Sequence, residues 1–267
     1  MSAVSAMQPD SGIGIGHRAF ALDAATIALC SAVIAAAAQQ LGFMTVVVPA
    51  VMAGRMLLWA LLPRAEHEHG LGRELLLMAV LTVLGGFNDF NSVVRHRVYD
   101  YTVPSDLSWS MIPAWMLLYW GMIVRFMVSV VRWRLWNPPA RPSDLLRVPG
   151  TSWQLSRPWL KAGFLLMLVV LTRQAIYRWY LDPILSWLPF ALALGLHLLL
   201  VPWGGRQVKM LALTALLGPL AEVLYIQLGQ LHWYHLGWIG GVPLWICLWW
   251  LLAVLVLDDL VPRVLRR

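Results

Sequence analysis

A chain of 267 residues with 60% hydrophobic and only 12% charged side chains does not have the make-up of a soluble domain. Its mean hydropathy of +0.69 points the same way. A net charge of +7 would suit a nucleic-acid binder, but the basic residues are placed as a topology signal, and nucleic acid is excluded as a partner.

Residues 1–19 contain Gly, Ser and Pro with little apolar content and read as a short cytoplasmic tail. No basic segment with a cleavage site precedes the first apolar run, so that run is expected to be a retained helix. Runs long enough to cross the hydrocarbon core, about 20 residues each, lie near 20–38, 42–62, 74–92, 109–131, 160–180, 183–203, 209–229 and 236–257. The first two are divided only around Gln39, Gln40 and Gly42, so one long broken helix is the alternative there. The runs are continuous rather than alternating, which favours helices over a barrel. The expected fold is an all-α integral membrane protein of about eight transmembrane helices. Residues 133–158, including WNPPARPSDLLRVPG, are polar, basic and proline-rich. They read as a cytoplasmic linker between a first four-helix half (20–132) and a second (159–267).

With the N-terminus inside, the cytoplasmic segments would hold Arg18, Arg64, Arg73, the six basic residues from Arg132 to Lys161, Arg206, Lys209, Arg263, Arg266 and Arg267. The outer segments keep Arg95, Arg97 and Arg178. This asymmetry predicts a multi-pass protein of the inner cell membrane with both termini cytoplasmic. Cys30 and Cys247 each lie in an apolar run and read as small buried hydrophobes.

Two stretches repeat. AVLTVLGGFND ends at Asp89 and ALTALLGPLAE ends at Glu222. A glycine (Gly85, Gly218) stands four residues before each acid, and a tyrosine (Tyr101, Tyr234) twelve residues after it. The copies resume as IPAWMLLYW and VPLWICLWW, matching Pro113 to Pro243, Trp115 to Trp245 and Trp120 to Trp250, with one three-residue difference in length. Similar apolar composition does not align proline, tryptophans, tyrosine and an acid in order. The pattern implies an internal parallel repeat in which spans three and four resemble spans seven and eight. Shared sites in such repeats lie near the interface of the halves.

Carboxyl groups in lipid are costly and are functional candidates. Thr82, Gly85, Gly86 and Asp89 share one helical face, as do Ala215, Gly218, Pro219 and Glu222. Small residues admit a close neighbour, so both acids are expected on a packed inner face in the outer half of the membrane. A carboxyl group buried without a close cation favours its neutral form, the form a general acid needs. Asp89 and Glu222 are therefore the candidate catalytic acids. Tyr101, Tyr234, Trp115, Trp245, Trp120, Trp250 and His232 are the candidate substrate-binding residues. The competing reading makes the acids structural, hydrogen-bonded to backbone or to Arg125 and Arg173 and locking the halves together. Tyr99, Trp109, Trp233 and Trp238 read as an interfacial aromatic belt. His67 and His69 lie in a charged loop, and seven scattered histidines do not suit the histidine-rich membrane oxygenases. No metal site or cofactor is expected, and no G-x-S-x-G, Walker loop or H-E-x-x-H points elsewhere.

The stretch GPLAEVLYIQLGQLHWYHLGWIGGVPLWICLWW resembles the carotenoid-hydratase family of polytopic membrane proteins, the bisanhydrobacterioruberin and γ-carotene hydratases. Glu222, Tyr234, Gly241, Val242, Pro243 and Trp250 match that family's order of glutamate, tyrosine-containing turn, Gly-Val-Pro and tryptophan. The family's glycine-rich segment is reduced here to Gly229, and its tyrosine pair becomes His232-Trp233-Tyr234-His235. The resemblance covers about forty residues, with an echo at Tyr99–Thr102, and extends more loosely to the small membrane terpene cyclases. It implies acid-catalysed hydration or cyclisation of a lipid-soluble isoprenoid such as a carotenoid precursor, with no cofactor. The alternative is a non-enzymatic carrier, or an assembly or scaffold subunit, using the acids for proton coupling or helix packing.

Overall fold

The computed structural model describes residues 14–136, 158–201 and 203–265. The tail up to residue 13 and most of the expected linker, 137–157, lie outside the described residues.

In lipid a backbone group must find its partner within the segment, and the apolar runs do so as helices. In chain order these are α1 (His17–Ala37), α2 (Leu41–Leu61), α3 (Leu71–Phe90), α4 (Ala114–Arg132), α5 (Pro158–Trp179), α6 (Leu188–Leu200), α7 (Gly205–Gln227) and α8 (Leu244–Leu265). Among the described residues seven helices are long and apolar enough to cross a membrane. The expectation of eight is corrected at α6, whose 13 residues reach about 20 Å at 1.5 Å per residue. The apolar run before it is spent on a turn, where Asp182 Oδ1 accepts the Ile184 and Leu185 amides at 2.8 and 2.7 Å.

Other boundaries also move. Residues 20–62 form two helices, broken at Ala38–Gln40, rather than one. The expected tail gives up its last three residues to α1, which begins at His17. The fourth and eighth spans start later than expected, at Ala114 and Leu244, because the segments before them fold as loops.

Contacts at the helix ends define two faces. On one, β1 (Tyr99–Tyr101) and β2 (His232–Tyr234), far apart in the chain, pair as a two-stranded antiparallel ribbon, called the hairpin below for its shape alone, in the register Tyr99 to Tyr234, Asp100 to Trp233 and Tyr101 to His232. The end of α5 lies beside it, with Tyr177 stacked on His96 and Tyr180 against His235. On the opposite face, Arg206 at the start of α7 reaches the Val131 carbonyl at 2.8 Å and pairs with Asp258. Since α5 ends on the hairpin face and α7 begins on the other, α6 carries the chain back between them.

Close packing sets α3 on α4 and α7 on α8. A Cβ on Gly85 would lie 2.7 Å from Trp120 Cβ, and one on Gly218 would lie 2.8 Å from Trp250 Cγ. Glycine is required at both positions.

Candidate functional site

Each acid sits near the hairpin end of its helix and is met by the strand that follows. After Asp89, α3 relaxes into a π-helical turn, Asn91–Arg95, and the Val98 amide closes back on the Ser92 carbonyl at 2.7 Å. After Glu222, the Leu231 amide closes on the Tyr225 carbonyl at 3.0 Å. These bonds join residues nine and three positions beyond the acid in both segments. Arg97 (φ 51°) and Gln230 (φ 44°), each eight positions beyond its acid, take the left-handed conformation that non-glycine residues seldom adopt. The turn thus brings the following strand back over the acid.

Side chains two apart on a strand point to one side, so each strand offers two donors. Tyr101 donates to Asp89 Oδ2 at 2.7 Å, and Tyr99 donates to Oδ1. His232 Nε2 lies 3.1 Å from Glu222 Oε2, and Tyr234 donates to the same oxygen at 3.2 Å. Burial, and then the nearby carboxyl groups, hold the Tyr99, Tyr101 and Tyr234 phenols well above their usual range, so they act as neutral donors.

The two acids differ in what remains free. Asp89 is fully buried and both its oxygens are occupied. Glu222 is engaged at Oε2 only, and among the described residues no hydrogen bond falls on Oε1. Glu222 also lines a cavity of about 380 Å³, within the size of small-molecule sites. Asp89 is separated from that cavity by Tyr99 and Tyr101, which do line it.

The cavity runs from the hairpin between α1, α4, α7 and α8 towards Phe126, Val130 and Val254. Of the expected binding residues, Tyr101, Tyr234, Trp120, Trp245, Trp250 and His232 line it. Trp115 is buried in the core and does not. Ala28 of α1 and Leu217 and Leu220 of α7 line the cavity and are also exposed, so it opens sideways on the lipid-facing surface.

Sequence reasoning missed several wall residues. Tyr99, assigned to an interfacial belt, is an Asp89 donor; its signal was the alternation with Tyr101 on one strand. Trp109, Trp233 and Trp238 are exposed as a belt requires. Ser31 and Tyr225 of the wall form a hydrogen-bonded trio with the buried Tyr119 across α1, α4 and α7, with Ser31 Oγ 2.7 Å from Tyr225 Oη and 3.1 Å from Tyr119 Oη. Arg173 also lines the cavity, over the Trp249 ring at 4.0 Å.

Neither Arg125 nor Arg173 is salt-bridged to Asp89 or Glu222. Arg125 belongs to a separate buried cluster at the opposite end of the bundle. There Arg55 bonds Asp23 Oδ1 at 2.7 Å and pairs with Glu74, while Arg125 bonds Glu74 at 2.8 Å and lies 3.2 Å from Asp23. His69 meets the other Glu74 oxygen at 2.6 Å. The two guanidinium groups face the Trp59 ring at 4.7 and 5.1 Å. Among the described residues no group of His, Cys, Asp and Glu could hold a metal ion.

Fold and site together define a helical, multi-pass membrane protein whose cavity is lined by aromatic rings and one carboxyl group. No protein-family model, curated protein or solved structure matches the chain.

Proposed function

We propose that this protein is an intramembrane enzyme that uses Glu222 as a general acid on a C=C bond of a lipid-soluble isoprenoid, hydrating or cyclising it. The observation that carries this reading is the unengaged Oε1 of Glu222 on an aromatic-walled cavity open to lipid. In its protonated form the carboxyl group gives its proton to one alkene carbon, and the π pair becomes the new C–H bond. The more substituted carbon is left as a tertiary cation beside the faces of Trp120, Trp245 and Trp250, whose quadrupoles favour positive charge. Water then donates a lone pair to that carbon and its surplus proton returns to the carboxylate, so alkene plus water gives an alcohol. If a second double bond captures the cation and a proton is lost, the product is a ring. His232, on the other oxygen, orients the acid and relays the returning proton.

We read the two acid-bearing segments as copies of one unit. The strand register supports this, because it pairs position ten after one acid with position twelve after the other, in both directions. The shared turn and the matched glycine–tryptophan contacts support it further. On this reading Asp89 has become the positioning copy, holding Tyr99 and Tyr101 in the wall. We also place the hairpin face outward and the opposite face, with Arg64, Arg132 and Arg206, in the cytoplasm of a cell with this protein in its inner membrane.

The test is turnover and an organic extract of membranes with and without the gene. Glu222→Gln keeps the size and the acceptor for Tyr234 but removes the transferable proton. It should lower turnover by about 10²–10⁴-fold in protein that still inserts and folds. Asp89→Asn should cost stability more than turnover per folded molecule. An unchanged isoprenoid profile with altered uptake would favour a carrier. Lower yield with unchanged specific activity in Glu222→Gln would make the acid structural.

A further inference from the structure

Arg173 has no role in the chemistry above, and its surroundings are unusual for a charge. It is 8% exposed and lines the cavity. Among the described residues no carboxylate lies within salt-bridge distance, its guanidinium donates no hydrogen bond within the protein, and its buried Nε has no partner. Its contact is the Trp249 ring at 4.0 Å. The nearby acids cannot serve it: Asp89 is closed off behind Tyr99 and Tyr101, and Glu222 is held by His232 and Tyr234. A buried cation without a counter-charge is costly, and in a membrane such a group marks a ligand path. The fork of a guanidinium matches two oxygens of a carboxylate or phosphate.

We infer that Arg173 anchors the oxyanion head of the cavity's ligand, making that ligand a chain-bearing carboxylate or monophosphate rather than a pure hydrocarbon. The head lies against Arg173 near the hairpin, and the apolar chain runs towards Phe126, Val130 and Val254 and enters between α1 and α7. A fixed cation also repels a carbocation, so the reacting double bond stands off from Arg173, along the Trp120 and Trp250 faces. This rests on the proposed function for the identity of the chain as an isoprenoid, but not for the anchor itself.

The experiment is equilibrium binding to the purified full-length protein in neutral detergent, read by quenching of tryptophan fluorescence. Three probes share one chain: farnesyl monophosphate, farnesoic acid and farnesol. At least one anionic probe should bind about tenfold to hundredfold tighter than farnesol, the range expected for a charge-assisted pair. Whichever anion binds tighter identifies the head as phosphate or carboxylate. Arg173→Gln should abolish the preference while leaving farnesol affinity unchanged, and Arg173→Lys should keep part of it. Equal binding of all three probes to the native protein overturns the inference, as does binding of none, or an equal loss for all three in Arg173→Gln. Should the variants fail to fold, the comparison of probes on the native protein still decides. The two proposals fail separately. An anion preference without any Glu222-dependent product leaves the anchor standing and removes the enzyme. A Glu222-dependent product without anion preference does the reverse.

Discussion

At the scale of single residues, the two acids show how equal placement leads to unequal hydrogen bonding. Both are met by donors ten and twelve residues downstream, yet Asp89 has both oxygens occupied and Glu222 has one. Removing one hydroxyl should therefore have different costs. Tyr101→Phe leaves a fully buried carboxyl oxygen of Asp89 without a partner, a loss of about 1–3 kcal/mol. Tyr234→Phe leaves Glu222 Oε2 still in contact with His232, and the cost should stay near 0.5–1.5 kcal/mol. Denaturant unfolding in detergent compares the two directly; equal losses would show that the two carboxyl groups are equivalent after all. The acids and the tyrosines at position twelve were legible in the sequence because polar groups inside apolar runs are conspicuous. Tyr99 was not, since a tyrosine at a membrane boundary has a commonplace explanation, and only the strand aims it at Asp89.

At the scale of elements, the apolar runs foretold the helices, and their ends were set by chemistry that composition does not carry. The short α6 is the clearest case. The residues just before it, 183–187, continue the apolar run, but Asp182 collects two backbone amides and turns them into a loop. Bonded to the Leu185 and Ile184 amides, the half-buried Asp182 carboxyl group sits below its usual range. The charged cluster of α1 to α4 was likewise invisible. Asp23 and Arg55 stand 32 residues apart, Glu74 and Arg125 51 apart, and Ser129 and Asp23 106 apart, and nothing local links them. Once assembled, the cluster ties four helices through charges fully removed from water. Arg125→Met would leave Glu74 and Asp23 each short of a cation and should destabilise the protein by about 3–5 kcal/mol. Because the cluster lies at the end of the bundle away from the hairpin, activity per folded molecule should survive. Thermal unfolding beside specific activity checks both halves of that statement. A loss of specific activity at unchanged stability would move the cluster into the functional site.

At the scale of the whole molecule, orientation and mechanism constrain each other. The hairpin closes one end of the cavity and the charged cluster lies at the other end of the bundle, so the face that is outward fixes where the acid works. The basic residues on the face opposite the hairpin include Arg64, Arg132 and Arg206, against Arg95, Arg97 and Arg178 beside it. Positive charge near span ends is retained in the cytoplasm, and the hairpin is therefore expected outside. On the proposed orientation α6, though short, returns the chain between the two faces, and both ends are expected on the same side. Reporter fusions check this. A fusion after Arg267 and one in the segment around Pro142 should report the cytoplasm, and a fusion after Pro104, just past β1, should report the exterior. Were the Pro104 and Pro142 fusions to report one side, α4 would not cross, and the proposed topology would fail. If all three are inverted together, the bundle stands but the acids face the cytoplasmic leaflet, and the proposed substrate would have to enter between α1 and α7 from the inner side.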